Sequence, residues 1–228
     1  MLNLRTCVVV VAVLLVGGVA LAQTSETADI AALRVRANAG DANAQFNLGT
    51  MYYTGQGVPQ DYAQAMSWYR QAADQGHATA QWFLGLAYRD GEGVPQDYAQ
   101  SVSWFRQAAD QGFAAAQFSL GLAYYDGQGV PQDYVQSVSW YRKAAEQGMA
   151  GAQWLLGSMY SNGQGVPQDY VEAHKWRNLA ASRASAEDQK EYAESRDALA
   201  AVMTPQQIAD AQQRATDWLT AFEQRGGK

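Results

Sequence analysis

Residues 76–111 read GHATAQWFLGLAYRDGEGVPQDYAQSVSWFRQAADQ, and this stretch recurs with few changes along most of the chain. The aligned copies begin at Gly40, Gly76, Gly112 and Gly148. Their spacing is a constant 36 residues without a gap. Such a repeat indicates units that are each one supersecondary motif and that stack on their neighbours. The predicted repeats of this 228-residue chain are 40–75, 76–111, 112–147 and 148–183.

Each repeat is predicted to form two helices. In the first copy, a helix over 42–53 places Gln45, Leu48 and Tyr52 on one face. The second helix is expected to bury an apolar face against its neighbours. Its inward-facing residues are predicted to be Tyr62, Met66, Trp68, Tyr69 and Ala72.

The loop between the two helices carries turn and capping residues. Gly55 and Gly57 allow the backbone to leave the helix, and Pro59 cannot continue one. Asp61 is a predicted N-cap of the second helix, with Gln64 completing a capping box. The same pair recurs as Asp97 with Gln100, Asp133 with Gln136, and Asp169 with Glu172.

Gly49 is a conspicuous residue because glycine inside a helix costs about 1 kcal/mol relative to alanine. We expect it to let the second helix approach closely at Ala72 and Ala73. One helix pair cannot bury its apolar faces, whereas stacked pairs can. The predicted fold is therefore all-α, a right-handed α-solenoid of helix–loop–helix repeats with helical caps.

The shared residues resemble the Sel-one-like repeat family, a branch of the tetratricopeptide-like solenoids. The pattern is AxAQxxLGxxYxxGxGVxxD, followed by Trp and Ala-Ala, and it covers 40 to about 183. The resemblance implies an adaptor or scaffold that binds protein partners, and many bacterial members are exported. Some secreted relatives carry cysteine pairs that bridge the helices of a unit, and β-lactam hydrolysis is attributed to that subgroup. This sequence lacks those cysteines.

Residues 1–22 have the order of a secretory signal peptide. Arg5 precedes an apolar run over 7–16, and small residues follow up to Ala22. The alternative is an uncleaved anchor helix, and only then would the chain contact a membrane. We predict cleavage and a periplasmic or secreted protein. Cys7 is the single cysteine and lies in this segment, so a cleaved chain contains no disulfide.

Both ends of the array need covers, because a solenoid exposes apolar surface at its ends. Residues 23–39 are predicted to contain a capping helix with Ile30, Leu33 and Ala37 on one side. Residues 184–228 are predicted to form a helical C-terminal cap, with Thr204 as an N-cap. Its inward-facing residues are expected to be Tyr192, Leu199, Met203, Ile208, Ala211, Ala215, Trp218 and Phe222.

The sequence offers little for catalysis. The formal charge is −6 without a basic cluster, which argues against nucleic-acid binding. His77 and His174 are the only histidines and lie in different repeats. Zinc, phosphate-loop and serine acyl-enzyme motifs are absent from the sequence. We predict no catalytic residues, no metal and no cofactor.

Three columns of the first helices are candidate partner-binding positions, if these helices line the concave face. The ring column is Phe46, Trp82, Phe118 and Trp154. The middle column is Thr50, Leu86, Leu122 and Ser158. The variable column is Tyr53, Arg89, Tyr125 and Ser161. The middle and variable columns differ between repeats, as residues that read a partner are free to do, and aromatics beside an arginine are typical of binding hot spots. The ring column is equally well interpreted as core between adjacent repeats.

Three functions are compatible with these features. The leading hypothesis is an exported scaffold that binds a protein or peptide on the concave face. A hydrolase acting on cell-wall material or β-lactams is an alternative that rests on family analogy alone. An envelope-anchored signalling regulator is a third, if the leader is retained.

Overall fold

The computed structural model describes residues 29–227, and this part of the chain contains eleven helices and no strand. Helix α1 covers 29–38. The repeats form the pairs α2 (Ala42–Thr54) and α3 (Tyr62–Asp74), α4 (Ala78–Asp90) and α5 (Tyr98–Asp110), α6 (Ala114–Asp126) and α7 (Tyr134–Glu146), and α8 (Ala150–Asn162) and α9 (Tyr170–Arg183). Helices α10 (Gln189–Ala200) and α11 (Pro205–Gln224) follow. The predicted signal segment 1–22 lies outside the described residues.

The helices stack in the order of the sequence. Within each repeat the two helices pack on each other, and each second helix also packs on the first helix of the next repeat. Every repeat buries one leucine of its first helix completely: Leu48, Leu84, Leu120 and Leu156. Because no unit buries its apolar faces alone, the core is a series of clusters that form where neighbouring helix pairs meet. The predicted all-α solenoid of helix–loop–helix repeats is confirmed.

The loops hold each helix pair together through the predicted N-cap aspartates. The Asp61 carboxylate accepts the Gln64 backbone N–H at 2.9 Å. The second hydrogen bond of the predicted capping box, from the Asp61 backbone N–H to the Gln64 side chain, is wrong. The Asp61 backbone N–H donates to the Tyr52 carbonyl instead, at 2.9 Å. The Gln64 amide instead donates to the Asp61 carboxylate at 3.0 Å. The N-cap backbone therefore ties the second helix to the end of the first.

Glycines mark the closest approaches between elements. A Cβ added at Gly49 would lie 2.7 Å from Cδ1 of Tyr69 and 3.2 Å from the Ala65 carbonyl oxygen. The expected contact with Ala72 and Ala73 is therefore wrong by about two turns, because the antiparallel helices meet at their middles. The second loop glycine contacts the preceding repeat. A Cβ at Gly93 would lie 2.7 Å from the carbonyl oxygen of Tyr62.

A ladder of buried glutamine amides connects successive repeats. Gln81 donates to the Ala73 carbonyl at the end of α3, at 3.0 Å, and accepts from Gln111 of its own repeat at 2.7 Å. Gln45 and Gln117 make the equivalent pairs of bonds. Buried polar groups are tolerated when they are hydrogen-bonded in this way. This ladder explains why every repeat has glutamine at its sixth position.

The C-terminal helices cover the last repeat. Thr204 begins α11 with a complete capping box that includes Gln207, as predicted for this N-cap. Trp218 of α11 meets Trp176 of α9 edge to face, with ring centroids 6.0 Å apart. Ala211, Ala215 and Phe222 are buried. Apolar surface at the end of the array is thereby covered.

Candidate partner-binding surface

The ring column lies half-buried between neighbouring helices. Phe46 stacks on Tyr69 at 5.5 Å, and Phe118 lies 5.8 Å from Tyr141. Trp82 contacts Phe113 at 5.8 Å. Each of these rings therefore has one flank in the core. Their predicted role in binding remains a prediction.

The last member of the ring column is covered by the C-terminal cap. Trp154 stacks on Tyr192 of α10, with centroids 5.4 Å apart and planes 14° apart. Its indole Nε1 is buried and has no hydrogen-bond partner. One face of Trp154 is therefore occupied by the C-terminal cap.

The variable column begins with a tyrosine that bridges two repeats. The Tyr53 hydroxyl donates to the Glu92 carboxylate in the next loop at 2.7 Å. That hydrogen bond, together with desolvation, raises the pKa of Tyr53 to about 12. The ring also lies 5.2 Å from Tyr62 and 6.4 Å from Phe83. Tyr53 is thus held in one orientation at the edge of the surface.

Arg89 occupies the same column in the second repeat. Its Nε and Nη2 atoms each bond the Asp90 carboxylate at 2.8 Å, while its side chain stays 39% exposed. This ion pair raises the pKa of Arg89. Such a bidentate contact fixes the guanidinium plane, which reduces the entropy that binding would cost. In the third repeat Tyr125 lies 5.3 Å from Tyr134.

A row of exposed tyrosines was missed by the sequence analysis. Tyr62 was expected to pack inward, but it is 39% exposed, and Tyr98 is 37% exposed. The loop glutamines hold them: Gln60 donates to the Tyr62 hydroxyl at 3.1 Å, and Gln96 to that of Tyr98 at 3.2 Å. These residues begin the second helices beside the variable column. Their position one residue after the N-cap was the available signal, since such residues lie at the rim of a helix pair.

The two histidines take part in helix capping and in core packing. His77 caps α4, with Nδ1 accepting the Ala80 N–H at 3.2 Å, and its ring stacks on Phe46 at 4.8 Å. Burial lowers the pKa of His77 and also that of His174, which is 3% exposed. Both are therefore neutral near pH 7. Neither lies in a group of acid, base and nucleophile of the kind that hydrolysis requires.

Within residues 29–227, three or more histidine, cysteine or acidic side chains never come together as a potential metal site. None of the helices in this part of the chain has the length and hydropathy to cross a bilayer.

Comparison with known proteins identifies the repeat. The Sel1 repeat family matches four consecutive segments: 42–77, 78–113, 114–149 and 150–185. These have the stride predicted from the sequence, in a frame that starts two residues later. No curated protein sequence matches the chain.

Two solved structures share the fold at substantial identity. The protective antigen c5321 of uropathogenic Escherichia coli, which displays an SLR fold, is 44% identical over 74% of this chain, with a TM-score of 0.69. A Sel1 repeat protein from Oxalobacter formigenes is 39% identical over 72% of this chain, with a TM-score of 0.65. The matches span only 36% and 48% of those two relatives.

Family membership has a general functional meaning. Sel1 repeat proteins generally mediate protein–protein interactions, and their fold is typically a non-catalytic scaffold. The four matched segments cover more than half of the residues, and the solved relatives share both sequence and helix arrangement. The chain belongs to the Sel1 repeat family.

Proposed function

We propose that this protein is an exported, non-catalytic scaffold that binds a protein or peptide partner on its first-helix surface, defined as the exposed parts of the ring, middle and variable columns. The observation that carries the proposal is the edge formed by Tyr53, Arg89 and Tyr125. They belong to a column that reads Tyr, Arg, Tyr and Ser along the four repeats, and they lie on helices beside the exposed rings of Tyr62 and Tyr98. Tyrosine and arginine are the residues enriched at binding hot spots.

The rigidity of this edge favours binding over catalysis. Its side chains are fixed by internal bonds, from Tyr53 to Glu92 and from Arg89 to Asp90, before any partner arrives. Preorganised side chains lower the entropic cost of association. The two histidines are engaged in capping and packing.

In-cell photo-crosslinking tests the proposal. A photoreactive residue placed at Leu86, one turn before Arg89 on α4, is expected to capture a specific partner, identified by mass spectrometry, and the additional change Arg89→Glu is expected to weaken that capture. The same photoreactive residue at Ser103, an exposed position on the second helix α5, is the control. Identical capture from both positions, unaffected by Arg89→Glu, would contradict binding at this surface.

Export is tested separately. The predicted signal peptide leads us to expect a mature chain that begins after Ala22 and is released with the periplasmic or secreted fraction. Mass spectrometry of the purified N-terminus checks this. An intact N-terminus in the cytoplasmic fraction would contradict export and leave the binding surface to be judged by the crosslinking result.

A further inference from the structure

A small cavity opens at the boundary between the second and third repeats. Its volume is about 110 Å³. Pockets for drug-sized molecules and cofactors measure about 300–1,000 Å³, so this cavity is too small for such a ligand. It is still several times larger than the roughly 10–15 Å³ that one water molecule needs. The space is suited to one side chain.

The walls of the cavity are apolar at depth. Its inner lining comes from Val102 and Phe105 of α5 and from Leu122 and Ala123 of α6. Ser119 also lines it, but its hydroxyl already accepts the Trp82 indole N–H at 3.1 Å and donates to the Ala115 carbonyl at 2.9 Å. Ser101, which is only 2% exposed, adds one hydroxyl to this otherwise apolar inner surface.

Ser119 is the reason that the cavity exists. The same slot holds Phe83 in the second repeat and Leu155 in the fourth. Phe83 fills the preceding boundary, where it stacks on Tyr69 with centroids 5.3 Å apart. Leu155 packs against the core that contains Tyr141. A serine at this slot leaves empty the space that its neighbours fill with apolar atoms.

The mouth of the cavity is polar and carries both signs of charge. Arg89, Tyr98, Asp126 and Gln128 line it. Arg89 is already paired with Asp90, so Asp126 gives the mouth a single net negative charge. An arginine and an aspartate together suit the neutral donors and acceptors of a peptide backbone better than they suit a strongly charged ligand.

We infer that this cavity, here named the Ser119 pocket, takes one aliphatic side chain of leucine, isoleucine, valine or methionine size from an extended partner peptide. The inference rests on the proposed function. Leu155 supplies the internal precedent, because the equivalent boundary accepts a leucine from within the chain. Arg89 lines the pocket and also belongs to the variable column, so the same peptide would also contact the edge formed by Tyr53, Arg89 and Tyr125.

Selection from a random peptide display library against the full chain tests this inference. Enriched peptides are expected to share one aliphatic position, and substitution of that position by aspartate should weaken binding at least ten-fold. Ser119→Leu, which supplies the side chain of the fourth repeat, should weaken binding of the same peptides at least ten-fold. The matched control is Ser103→Leu, the same change at an exposed site on α5, which should leave binding unaltered.

A second variant guards against misfolding of the first. Ala123→Met narrows the pocket with the residue that the fourth repeat carries at that slot, Met159, and it should have the same effect on binding. Circular dichroism verifies that both variants are folded. Peptides that bind both filled variants as tightly as the parent protein would overturn the pocket but leave the binding surface intact. A library that yields no binding peptide would overturn both proposals.

Discussion

The first two repeat boundaries have the same scaffold but different surfaces. At the boundary of repeats 1 and 2, Phe83 fills the space between the helices, and Tyr53 is bonded to Glu92 across it. At the boundary of repeats 2 and 3, the same slots hold Ser119 and Arg89, and a cavity remains. The first boundary is filled by side chains and the second contains a cavity, although the backbone contacts are the same at both.

The shared parts show how this difference is tolerated. Gly93 and Gly129 both lie against the start of the preceding second helix, so the stacking contacts do not depend on the slot of Phe83 and Ser119. Constant residues hold the array, while a few variable slots alter the surface. In an array stabilised by nearest-neighbour contacts, such local changes have local effects.

Opening the closed boundary should have the largest effect on stability. Phe83→Ser removes a half-buried ring that contacts Phe46, Tyr53 and Tyr69. Because a fully buried phenylalanine is worth about 3–5 kcal/mol, we expect a loss of about 2–3 kcal/mol here. Chemical denaturation followed by circular dichroism measures it. Phe83→Leu, the residue of the fourth repeat, is the control and should cost under about 1.5 kcal/mol. Equal losses for the two variants would mean that the ring does not close the boundary.

Crowding the constant packing should cost somewhat less. A Cβ at Gly121 would lie 2.5 Å from the ring of Tyr141, so Gly121→Ala is expected to destabilise by about 1–3 kcal/mol through overpacking. The control is Gly151→Ala, also in a first helix, where the nearest atom would be 3.8 Å away. That change should be neutral or stabilise by up to about 1 kcal/mol. Thermal unfolding of both variants separates the two effects. A Gly121→Ala protein as stable as the parent would show that the constant column is not tightly packed.

The hydrogen bond between Tyr53 and Glu92, which joins repeats 1 and 2, should contribute less to stability than the packing of Phe83 or Gly121. Tyr53→Phe deletes the hydrogen bond to Glu92 and should cost about 0.5–1.5 kcal/mol near pH 7. The folded-state pKa of Tyr53 is raised to about 12 from a reference of 10.0, so the folded chain holds this proton more tightly. The stabilisation that this hydrogen bond gives the folded state is complete below about pH 10 and is lost as the pH rises toward about 12.

Denaturation at several alkaline pH values measures this contribution. The stability difference between the parent protein and Tyr53→Phe should shrink as the pH rises above about 10. Tyr125→Phe is the matched control, because the corresponding loop residue is Gln164 rather than a carboxylate. A difference that stays constant with pH would show that Tyr53 and Glu92 are not coupled in solution.

Closing the open boundary should have the smallest effect. Ser119→Leu fills the Ser119 pocket but breaks the hydrogen bond from Trp82. Filling a cavity gains about 0.5–2 kcal/mol, and losing the bond costs about 0.5–1.5 kcal/mol, so the net change should stay within about 1 kcal/mol. A melting temperature within a few degrees of the parent protein is expected. A large destabilisation would mean that the boundary cannot accept the side chain of its neighbour.

Periodicity alone predicted most of the fold. The constant spacing from Gly40 to Gly148 gave the helix pairs, and the Asp61 series gave the N-caps, since both are local signals. The partners of these residues were harder to predict. Gly49 lies against Tyr69 and Ala65 rather than Ala72, because helix crossing points depend on three-dimensional packing that sequence spacing does not specify.

Only part of the candidate surface could be predicted from the sequence. The variable column identified Tyr53 and Arg89, but not their pairing with Glu92 and Asp90, since ion pairs and hydrogen bonds depend on side-chain orientation. The cavity beside Ser119 was missed because it arises from an absence of side-chain volume. A comparison of Phe83, Ser119 and Leu155 within the sequence contained the signal, but their common position became meaningful only once the boundaries were visible.

The glutamine ladder has a consequence for how such a chain changes length. Each rung joins the end of one helix pair to the start of the next, through Gln81 and Ala73 for example. Inserting one residue into a first helix before its ladder glutamine would rotate the following side chains by about 100° around the helix. The glutamine amide would then lose its hydrogen-bond partner. Adding or removing a whole 36-residue module preserves every rung. Deletion of such a module should therefore leave a foldable protein, whereas a deletion of similar length that starts within one helix and ends within another should not.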